Sequence, residues 1–589
     1  MISFGYAFLV NRNIMSWIFG TIPQNGKNYT ESLSRIDNDK FLTHNTREVQ
    51  FFAGGFEQNL FYSEQNKWVV AGIGLTSNFQ SSKILNYNDW YHLLKRKNFE
   101  DKLKELNGHF IIIKWSDNKV SFYSDVLGLR EIYLLKNNNG VFFSTNATWL
   151  SKFNDLELNF AEFGSRWMLF NQISDKSIFK NVVRVVAGKT ATVSLGDNNI
   201  SINNYNWLPS NSEKKFGLKE YSSNLTSLIN LNIPKTHHIS LSLSGGMDSR
   251  VISSYLLKNN LSFDTHTFGN PNHPDSLIAI KIADSFKLKH EQINLDFTDK
   301  NKIIQDISEY TSQTLVNNAA SAILQLQNYR VLNGRNIVLV DGGFGEIWRR
   351  EFFYKMFLRG KNALIERDMS KIIPDLILQR ADIFNNNSML QMKKGIEVQL
   401  NELFTKLPNI KKNNLGNWLD VFAIKTRLVN YYSHEQARLD NNLVSIMPFL
   451  QPSILKELFN MPISLRRNGK LFRKIIKSNA PKLKNFALAK GEFTYPFFMG
   501  SLQSRLLSLI QRKFGVNTYQ RNSSLVLLNS LKEFIYDTVN SKTVMETPFY
   551  DMLKIRKIVD EFYAGNKNYS NELDWFLTFE LFRQKYQNN

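Results

Sequence analysis

With 589 residues, the chain is long enough for two or more domains with full hydrophobic cores. It contains no run of 18 apolar residues, so the sequence predicts no membrane span. The absence of cysteine excludes disulfides, thiolate metal sites and a cysteine nucleophile. The formal net charge of +21 comes from basic residues spread along the sequence, which favours a solvated basic surface over a nucleic-acid partner.

The first 205 residues predict sheets layered with helices. Residues 1–19 are interrupted by Asn11-Arg12-Asn13 and lack a basic leader, so they predict no secretion signal and leave the cytoplasm as the default location. Alternating apolar patterns and turn residues then indicate several short strands. Strands are predicted at 68–74, 110–115, 120–124 and 141–145, and short helices at about 89–106 and 159–171.

A polar stretch at 206–217, which contains Pro209, predicts a linker between two domains. Strands and helices alternate after it, which predicts a doubly wound parallel sheet with ligands at the carboxyl ends of its strands. Residues 501–589 predict helices that extend this second domain. Strands are predicted at 263–268, 290–294 and 336–340, and helices at 219–231 and 275–287.

The strongest motif is Ser244-Gly245-Gly246-Met247-Asp248-Ser249, which follows a strand pattern and precedes a helix predicted to begin at about Arg250. Two glycines let backbone N–H groups converge, the helix N-terminus adds positive potential, and the hydroxyls of Ser244 and Ser249 add donors. These features predict a phosphate-binding loop. Because Asp248 would repel a bare phosphate, its presence predicts a Mg²⁺ ion between the carboxylate and the phosphate oxygens.

A second glycine-rich turn, Asp341-Gly342-Gly343-Phe344-Gly345-Glu346, follows the strand predicted at 336–340. Glycines and carboxylates at the carboxyl edge of a parallel sheet predict a second contact to metal and phosphate. Either Asp341 or Glu346 can supply the carboxylate. The alternative is a purely structural turn from strand to helix.

The first loop resembles the pyrophosphate-binding loop of the ATP pyrophosphatases, which cleave ATP between the α- and β-phosphates. The order of further segments resembles the asparagine synthetase family over about residues 100–500. In the second half of the chain these segments are Ala437-Arg438-Leu439-Asp440, Met447-Pro448-Phe449-Leu450, Gly469-Lys470-Leu471-Phe472-Arg473 and Leu488-Ala489-Lys490-Gly491-Glu492-Phe493.

The resemblance implies roles for individual residues. Lys490 matches the lysine that stabilises negative charge during acyl transfer, and Glu346 is the second catalytic candidate. The family's Asp-Glu pair in the second loop is reduced here to Gly345-Glu346, and Arg438 and Asp440 are expected to form a structural ion pair. Asp248 and Glu346 are implied to bind Mg²⁺. The residues implied to bind ATP are Leu243, Ser244, Gly245, Gly246, Asp248, Ser249, Phe268, Gly342 and Gly343.

Segments of the first half resemble the glutamine amidotransferase domain of the same family: residues 106–110, 125–130, Tyr133 and 178–188. Active members hydrolyse glutamine with an N-terminal cysteine. This chain begins Met1-Ile2-Ser3, and Ala71-Gly72-Ile73 stands where active members have Asn-Gly-Glu. Glutaminase activity is therefore expected to be absent, and the domain is interpreted as a structural or substrate-docking remnant.

The sequence thus predicts an α/β protein. It comprises a layered α+β amidotransferase-like (Ntn-type) domain at 1–205, a linker at 206–217, a doubly wound ATP pyrophosphatase domain at 218–500 and a helical extension at 501–589. The resemblance implies that ATP and Mg²⁺ convert a small-molecule or peptide carboxylate into an acyl-adenylate. Ammonia or an amine then displaces AMP to form an amide. The oligomeric state is open, with a homodimer among the options.

Three alternatives remain at the level of sequence. A ring-forming or tailoring ligase of the lasso-peptide, β-lactam or sugar-acid type would use an amine as the nucleophile. β-Lactam synthetases carry a Tyr–Glu pair for its deprotonation, and Phe344 near the second loop matches that pattern poorly. A tRNA-modifying member of the superfamily is disfavoured by the absence of cysteine. A catalytically inactive ATP-binding scaffold is the alternative from another class.

Overall fold

A computed structural model describes residues 16–24, 27–29, 40–55, 59–77, 81–205, 207, 217–233, 235–294, 298–378, 380–410, 415–440, 442–491, 493–513 and 523–587. Met1-Ile2-Ser3, most of the predicted linker, and Glu492 lie outside the described residues.

Two sheets form the first half of the described chain. In the first, the spatial order is β11-β9-β10-β1-β3-β2, with all neighbours antiparallel. In the second, the order is β13-β12-β8-β7-β5-β6-β14, with β4 also pairing with β5 and only β14 running parallel to its neighbour. The strands are β1 Trp17–Pro23, β2 Lys40–Asn45, β3 Gln50–Gly54, β4 Leu60–Ser63, β5 Trp68–Ser77, β6 Ser82–Ile84, β7 Asn107–Trp115, β8 Lys119–Ser124, β9 Ile132–Asn137, β10 Gly140–Ser144, β11 Val182–Val185, β12 Lys189–Ser194, β13 Ile200–Asn204 and β14 Leu231–Asn232.

Alternation along the strands builds four layers. Val69 and Ala71 of β5 face the first sheet and pack with Phe51 and Val141 of that sheet. Trp68 and Val70 point the other way, onto helices α1 Tyr87–Leu94 and α2 Phe99–Leu103. The outer face of the first sheet packs on helices that include α3 Phe160–Met168. The predicted layered α+β arrangement is confirmed.

A third sheet follows, with the order β17-β16-β15-β18-β19 and every neighbour parallel. The order reverses at β15, which opens a crevice between β15 and β18 at their carboxyl ends. The predicted doubly wound sheet is confirmed, and β19 is a strand that the sequence did not predict. The elements are β15 His238–Ser242, β16 Phe263–Phe268, β17 His290–Ile293, β18 Ile337–Val340 and β19 Val444–Ile446, with helices α4 Leu218–Ile229, α5 Met247–Lys258, α6 Pro274–Phe286, α7 Lys300–Thr314 and α8 Ala320–Gln327.

Helices dominate the remainder. A π-helix, Ile424–Tyr432, joins α14 to α15, and a short hairpin of β20 Leu488–Lys490 and β21 Phe493–Tyr495 follows α18. The helices are α9 Glu346–Arg349, α10 Tyr354–Leu358, α11 Lys361–Glu366, α12 Met369–Leu376, α13 Asn386–Lys406, α14 Leu415–Ala423, α15 Ser433–Asp440, α16 Pro452–Leu455, α17 Ile463–Arg466, α18 Lys470–Asn479, α19 Ser501–Lys513, α20 Ser523–Ser530, α21 Lys532–Asn540, α22 Lys542–Met545, α23 Met552–Tyr563 and α24 Ser570–Gln587.

The two predicted domains share hydrophobic cores. Ile73 and Leu129 of the first half lie in one buried cluster with Met247 and Val340 of the parallel-sheet region. The last helix, α24, packs against the first half, where the ring of Phe582 stacks on that of Phe179 at 6.1 Å. The boundaries at 205 and 501 stay predictions, and their two sides are in extensive contact.

None of the described helices combines the length and the hydropathy that crossing a membrane requires.

Candidate functional site

A cavity of about 690 Å³ opens at the carboxyl ends of β15, β16 and β18. Six of the predicted ATP-binding residues line it: Leu243, Ser244, Asp248, Ser249, Phe268 and Gly342. Asp341, Tyr329, His266, Asp275 and Gly491 complete much of the wall. The volume lies in the range of small-molecule and cofactor sites.

The predicted phosphate loop is tighter than its sequence suggests. Helix α5 begins at Met247 and not at about Arg250, because Gly246 has an extended conformation (φ −72°, ψ 174°) and caps the helix. The Ser244 amide donates to Oγ of Ser249 (3.2 Å), and the Gly246 amide donates to Oγ of Ser244 (3.1 Å). Asp248 and Ser249 therefore lie in the first helical turn, where backbone N–H groups lack helical partners.

Asp248 is held by an arginine that the sequence did not indicate. Nε and Nη2 of Arg349 donate to the two carboxylate oxygens of Asp248, each at 2.8 Å. Burial raises the pKa of the Asp248 carboxyl to about 7, and Arg349 opposes that rise. Asp248 and Glu351 raise the pKa of Arg349 although burial opposes this, so the guanidinium stays charged.

Two glycines of the second loop leave room for this pair. A Cβ atom at Gly345 would lie 2.5 Å from Oδ1 of Asp248, and one at Gly342 would lie 3.0 Å from Cβ of Asp248. A side chain at 345 would therefore displace the carboxylate from Arg349. An aspartate at position 345 would therefore be incompatible with the observed pair.

Charges alternate from Asp248 to Lys490. Nη1 of Arg349 donates to Oε1 of Glu351 (2.7 Å), and Nζ of Lys490 donates to Oε2 of Glu351 (3.0 Å). Burial would raise the pKa of Glu351, but Arg349 and Lys490 together hold it below its ordinary value. Lys490 does not line the cavity, and its side chain is half exposed (49%), so it can move away from Glu351 toward a ligand.

The buried side chain of Arg250 ties the Lys490 strand to the phosphate loop. Its Nη2 donates to the carbonyls of Gly245 (3.3 Å) and Ala487 (2.7 Å), and its Nη1 donates to that of Phe486 (2.8 Å). The amide of Ala489 adds a bond to the carbonyl of Gly245 (2.9 Å). The position of Lys490 is thus set by the same turn that forms the loop.

The two carboxylates of the second loop have different surroundings. Oδ1 of Asp341 accepts the amide of Gly343 (2.8 Å), which shapes the turn, and burial raises the pKa of Asp341. Oε2 of Glu346 accepts the hydroxyl of Tyr432 (3.1 Å), a residue of the π-helix. Burial and the charge of Glu346 raise the pKa of Tyr432 well above its ordinary value, so Tyr432 keeps its proton.

The opposite end of the cavity is aromatic. The rings of Phe268 and Tyr329 meet edge to face, 4.4 Å apart. His266 lies between the hydroxyls of Ser240 (2.8 Å) and Ser242 (2.9 Å). Burial lowers the pKa of His266 to about 3, so its imidazole is neutral at physiological pH.

The expected ion pair between Arg438 and Asp440 is wrong. Arg438 pairs with Glu435, whose Oε2 lies 3.0 Å from Nη2. Oδ1 of Asp440 lies instead 2.8 Å from Nε2 of His109, and Arg130 lies on its other oxygen at 3.4 Å. Arg438 and Asp440 are close in the sequence of α15, but the helix directs their side chains to different layers. Asp440 thereby contacts the first half of the chain.

The segment Ala71-Gly72-Ile73 is apolar. Ala71 and Ile73 of β5 are fully buried, Ala71 between the two sheets and Ile73 in the core shared with the parallel-sheet region. A Cβ at Gly72 would lie 2.8 Å from Cα of Phe110. No polar side chain of this three-residue segment is available to bind glutamine.

Four residues of the site were missed from the sequence: Arg250, Arg349, Glu351 and Tyr432. Arg250 directly follows the loop, which is a signal that could have identified it. Arg349 and Glu351 follow closely after Glu346 in the sequence, but a charged pair after a glycine-rich turn is typical of many exposed helices. Tyr432 is 86 residues from its partner and has no local signal.

Comparisons with known proteins match one part of the chain. Residues 234–345 match the family model described as asparagine synthase. The match runs from β15 to Gly345 and so includes the predicted ATP-binding residues but neither Glu346 nor Lys490. It supports an asparagine-synthase-like ligase that uses ATP to form an amide.

A comparison with curated proteins finds no match. Solved structures that resemble the chain include a glutamine phosphoribosylpyrophosphate (PRPP) amidotransferase from B. subtilis complexed with ADP and GMP. It has 14% identity and a TM-score of 0.21, and the match covers 57% of this chain and 72% of that one. An allosteric regulatory enzyme of purine biosynthesis has the same identity and TM-score, with 60% and 73% covered.

Proposed function

We propose that this protein is an ATP-dependent amide-forming ligase that activates a carboxylate as its adenylate and transfers the acyl group to ammonia or an amine. The observation that carries the proposal is the cavity in which the phosphate loop, Asp248 and the second glycine-rich loop meet. A carboxylate oxygen of the acceptor attacks the α-phosphorus of ATP, and the bond to the bridging oxygen of pyrophosphate breaks. A nitrogen then attacks the acyl carbon, and AMP leaves.

The loop supplies the groups that hold a triphosphate. The amides of the first turn of α5, the helix dipole and the hydroxyls of Ser244 and Ser249 converge on one side of the cavity. Phe268 and Tyr329 offer an aromatic surface at the other side for a nucleobase. ATP therefore fits the cavity in chemistry as well as in size.

The residues present also fit Mg²⁺. This ion is usually bound through one or two carboxylates together with phosphate oxygens and water. Each oxygen of Asp248 keeps a lone pair after bonding Arg349, and Glu346 keeps Oε1 beside its bond to Tyr432. Asp248 and Glu346 would hold the ion, which when bound neutralises charge on the phosphate oxygens.

Arg349 and Lys490 are the proposed cationic contacts of the leaving group. In the structure both are neutralised by carboxylates, Arg349 by Asp248 and Glu351, and Lys490 by Glu351. Lys490 has the more exposed side chain. It is therefore the residue proposed to stabilise the negative charge of pyrophosphate in the first step and that of the acyl-transfer transition state in the second. Arg349 is the fixed member of the pair.

A second candidate, a ligase whose nucleophile is an amine of the substrate, is favoured by the bond between Tyr432 and Glu346. A carboxylate that accepts from a tyrosine can take the proton of an attacking amine, directly or through the hydroxyl. Phe344 does not provide such a pair, but Tyr432 reaches Glu346 from another part of the chain. This candidate includes cyclases and tailoring ligases.

The nitrogen is proposed to come from outside the chain. Without cysteine, and with Ala71 and Ile73 buried in apolar cores, the amidotransferase-like half lacks the groups that hydrolyse glutamine by the usual route. We expect no glutamate to be released from glutamine. Glutamate release by the purified protein would contradict this.

Hydroxylamine trapping across candidate acids tests the main proposal. Purified protein with Mg²⁺ and ATP is given amino acids, sugar acids and short peptides, and hydroxamate, AMP and pyrophosphate are measured by chromatography. We expect AMP and pyrophosphate, not ADP, with the correct acid. Asp248→Ala and Lys490→Met should lose this activity, whereas Lys477→Met, an exposed lysine of α18, should keep it.

The outcomes separate the candidates. Product formation with ammonia favours the asparagine-synthase-like reaction, and release of AMP without added nitrogen, with loss of water from the substrate, favours a cyclase. Full activity in Asp248→Ala would refute the proposed metal role. ATP binding without any acyl transfer, unchanged by Lys490→Met, would favour an inactive scaffold.

A further inference from the structure

The π-helix carries an arginine, Arg427, that pairs with no acidic side chain among the described residues. The guanidinium carbon of Arg427 lies 3.9 Å from the ring centre of Phe170 and 4.2 Å from that of Tyr431. Its Nε is buried without a hydrogen-bond partner. Within the part of the chain that the structure describes, no carboxylate forms an ion pair with Arg427. A cation held between two rings and lacking a counter-ion is a site prepared for an anion.

The surroundings of Arg427 add positive charge. Arg380, which is buried, donates to the carbonyls of Trp167 (2.7 Å) and Leu169 (2.8 Å), and its Nε also lacks a partner. Burial and, to a smaller extent, the charges of Arg166 and Arg427 together lower the pKa of Arg380 to about 9. The partners of Arg166 are likewise neutral groups, among them Gln172. The guanidinium groups of Arg166 and Arg380 are therefore bonded to carbonyl and amide groups, which carry no negative charge.

The nearby carboxylates are engaged elsewhere. Glu346 accepts from Tyr432, and Glu435 is paired with Arg438. The excess positive charge around Arg427 is thus not compensated by these acidic residues. Arg166 and Arg380 are buried, and burying charge without a counter-ion is costly, so an anionic ligand beside the half-buried Arg427 would offset part of that cost.

The cluster is adjacent to the proposed reaction centre. The ring of Tyr432 lies 5.6 Å from the guanidinium carbon of Arg427, and its hydroxyl bonds Glu346. Phe170 is 40% exposed, so one wall of the cluster is open to solvent. π-Helical segments occur frequently at functional sites, and here one such segment carries both Arg427 and Tyr432.

We propose that Arg427 and the rings of Phe170 and Tyr431 form the subsite that recognises the acceptor substrate. The ligand is a carboxylate attached to an apolar or aromatic body, with the carboxylate on Arg427 and the body on Phe170. Arg427 does not line the nucleotide cavity, so the carboxylate it binds is not the one that is activated. This inference rests on the proposed ligase function and adds that the acceptor carries a second anionic group.

Paired probes that differ in charge test the subsite. We would measure the binding of 3-phenylpropionate and of its neutral amide, 3-phenylpropionamide, by calorimetry and ligand-observed NMR. We expect the wild-type protein to bind the acid at least ~10-fold more tightly than the amide. Arg427→Met should bind both equally. Arg467→Met, which removes an exposed arginine near the ring of Phe357 (5.6 Å), is the matched control and should behave as wild type.

Thermal melting separates a binding role from a structural one. Arg427 has no ion-pair partner among the described residues, and methionine keeps contact with the rings of Phe170 and Tyr431. Without ligand, Arg427→Met should therefore melt close to wild type, and it should lose the rise that 3-phenylpropionate causes. Phe170→Ala, at a half-exposed position, should weaken the acid and the amide alike by ~3–10-fold. This second variant decides the matter if Arg427→Met does not fold.

Equal affinity of wild type for acid and amide, or an undiminished preference in Arg427→Met, would overturn the inference. Binding of Mg²⁺–ATP by Arg427→Met should stay within ~2-fold of wild type, since the arginine is outside the cavity. Failure of wild type to bind ATP would refute the proposed function and leave the anion preference as a separate result. An absent preference with intact ATP binding would refute only the subsite.

Discussion

Replacing Gly345 with alanine tests whether the carboxylate of Asp248 must keep its place beside Arg349. Gly345 has ordinary helical dihedral angles (φ −57°, ψ −20°), so alanine adds no backbone strain. The added methyl would lie 2.5 Å from Oδ1 of Asp248, whereas non-bonded atoms prefer about 3.5 Å. The carboxylate must therefore move by about 1 Å.

A shift of that size breaks both bonds to Arg349. Each is 2.8 Å long in the structure, and an increase of about 1 Å takes it beyond hydrogen-bonding distance. Hydrogen bonds between charged groups contribute about 1.5–3 kcal/mol each. The Asp248 side chain is 19% exposed, so water replaces part of that loss. Because nucleotide binding is proposed to need the observed pair, restoring it in the complex should cost about 2–3 kcal/mol of binding free energy. This corresponds to a roughly 30- to 150-fold loss of Mg²⁺–ATP affinity.

Calorimetric titration of Mg²⁺–ATP measures this loss. Gly196→Ala is the control, because a Cβ atom there has no neighbour within 4 Å. In a double-mutant cycle with Asp248→Ala, the alanine at 345 should cost much less, since the atoms that it displaces are gone. Wild-type affinity in Gly345→Ala would show that the observed pair is not required for nucleotide binding.

Three further substitutions probe the site. Arg250→Lys keeps the charge but loses the planar fork that holds several carbonyls, so we expect about 2–4 kcal/mol less stability and a lower kcat, measured by denaturant melts and steady-state kinetics. Wild-type kcat there would contradict a positioning role for Arg250. Glu351→Gln frees Lys490 and should tighten pyrophosphate binding about 2- to 5-fold, with a stability change below about 1 kcal/mol; weaker binding would refute this. His266→Gln should reduce acid sensitivity: the folded-state pKa of about 3 lies below the unfolded value of 6.5, so wild type loses up to about 1.4 kcal/mol per pH unit between them. Between pH 7.5 and pH 5 the variant should lose about 2 kcal/mol less than wild type in denaturant melts, and an equal loss would refute the neutral state of His266.

The shared cores give the first half of the chain a structural role. Ile73 packs in one cluster with residues of the parallel-sheet region, and Asp440 of α15 lies between His109 and Arg130 of the first half. Removing this half would expose apolar surface and leave buried charges unpaired. The first half therefore stabilises the region that carries the candidate site, whatever else it binds.

Local pattern was sufficient for the elements and the loops. Apolar runs located β16 at its observed bounds and β18 to within one residue, and a strand pattern before the first glycine-rich loop indicated β15 without its bounds. The alternation of these strands with helices predicted a parallel sheet. From the absence of cysteine we expect that glutamine is not hydrolysed by the usual route, and this stays a prediction. The strands and turns depend on residues that are close in sequence, and the absence of cysteine is a matter of composition. Neither requires knowledge of contacts between distant residues. The helix start at Met247 was missed because it depends on the conformation of Gly246.

Only the tertiary structure decided which charges meet. Arg349 lies 101 residues from Asp248, Tyr432 lies 86 residues from Glu346, and Lys490 lies 139 residues from Glu351. Arg427 was identified as a candidate because no described carboxylate forms an ion pair with it, which only the tertiary structure reveals. Side chains so far apart in sequence are brought together by the packing of whole layers, and no periodicity or spacing records that packing. The sequence by itself located a glycine-rich loop at the edge of a parallel sheet and predicted that it binds phosphate. The fold decided which charged residues pair with that loop and which residues hold it in position.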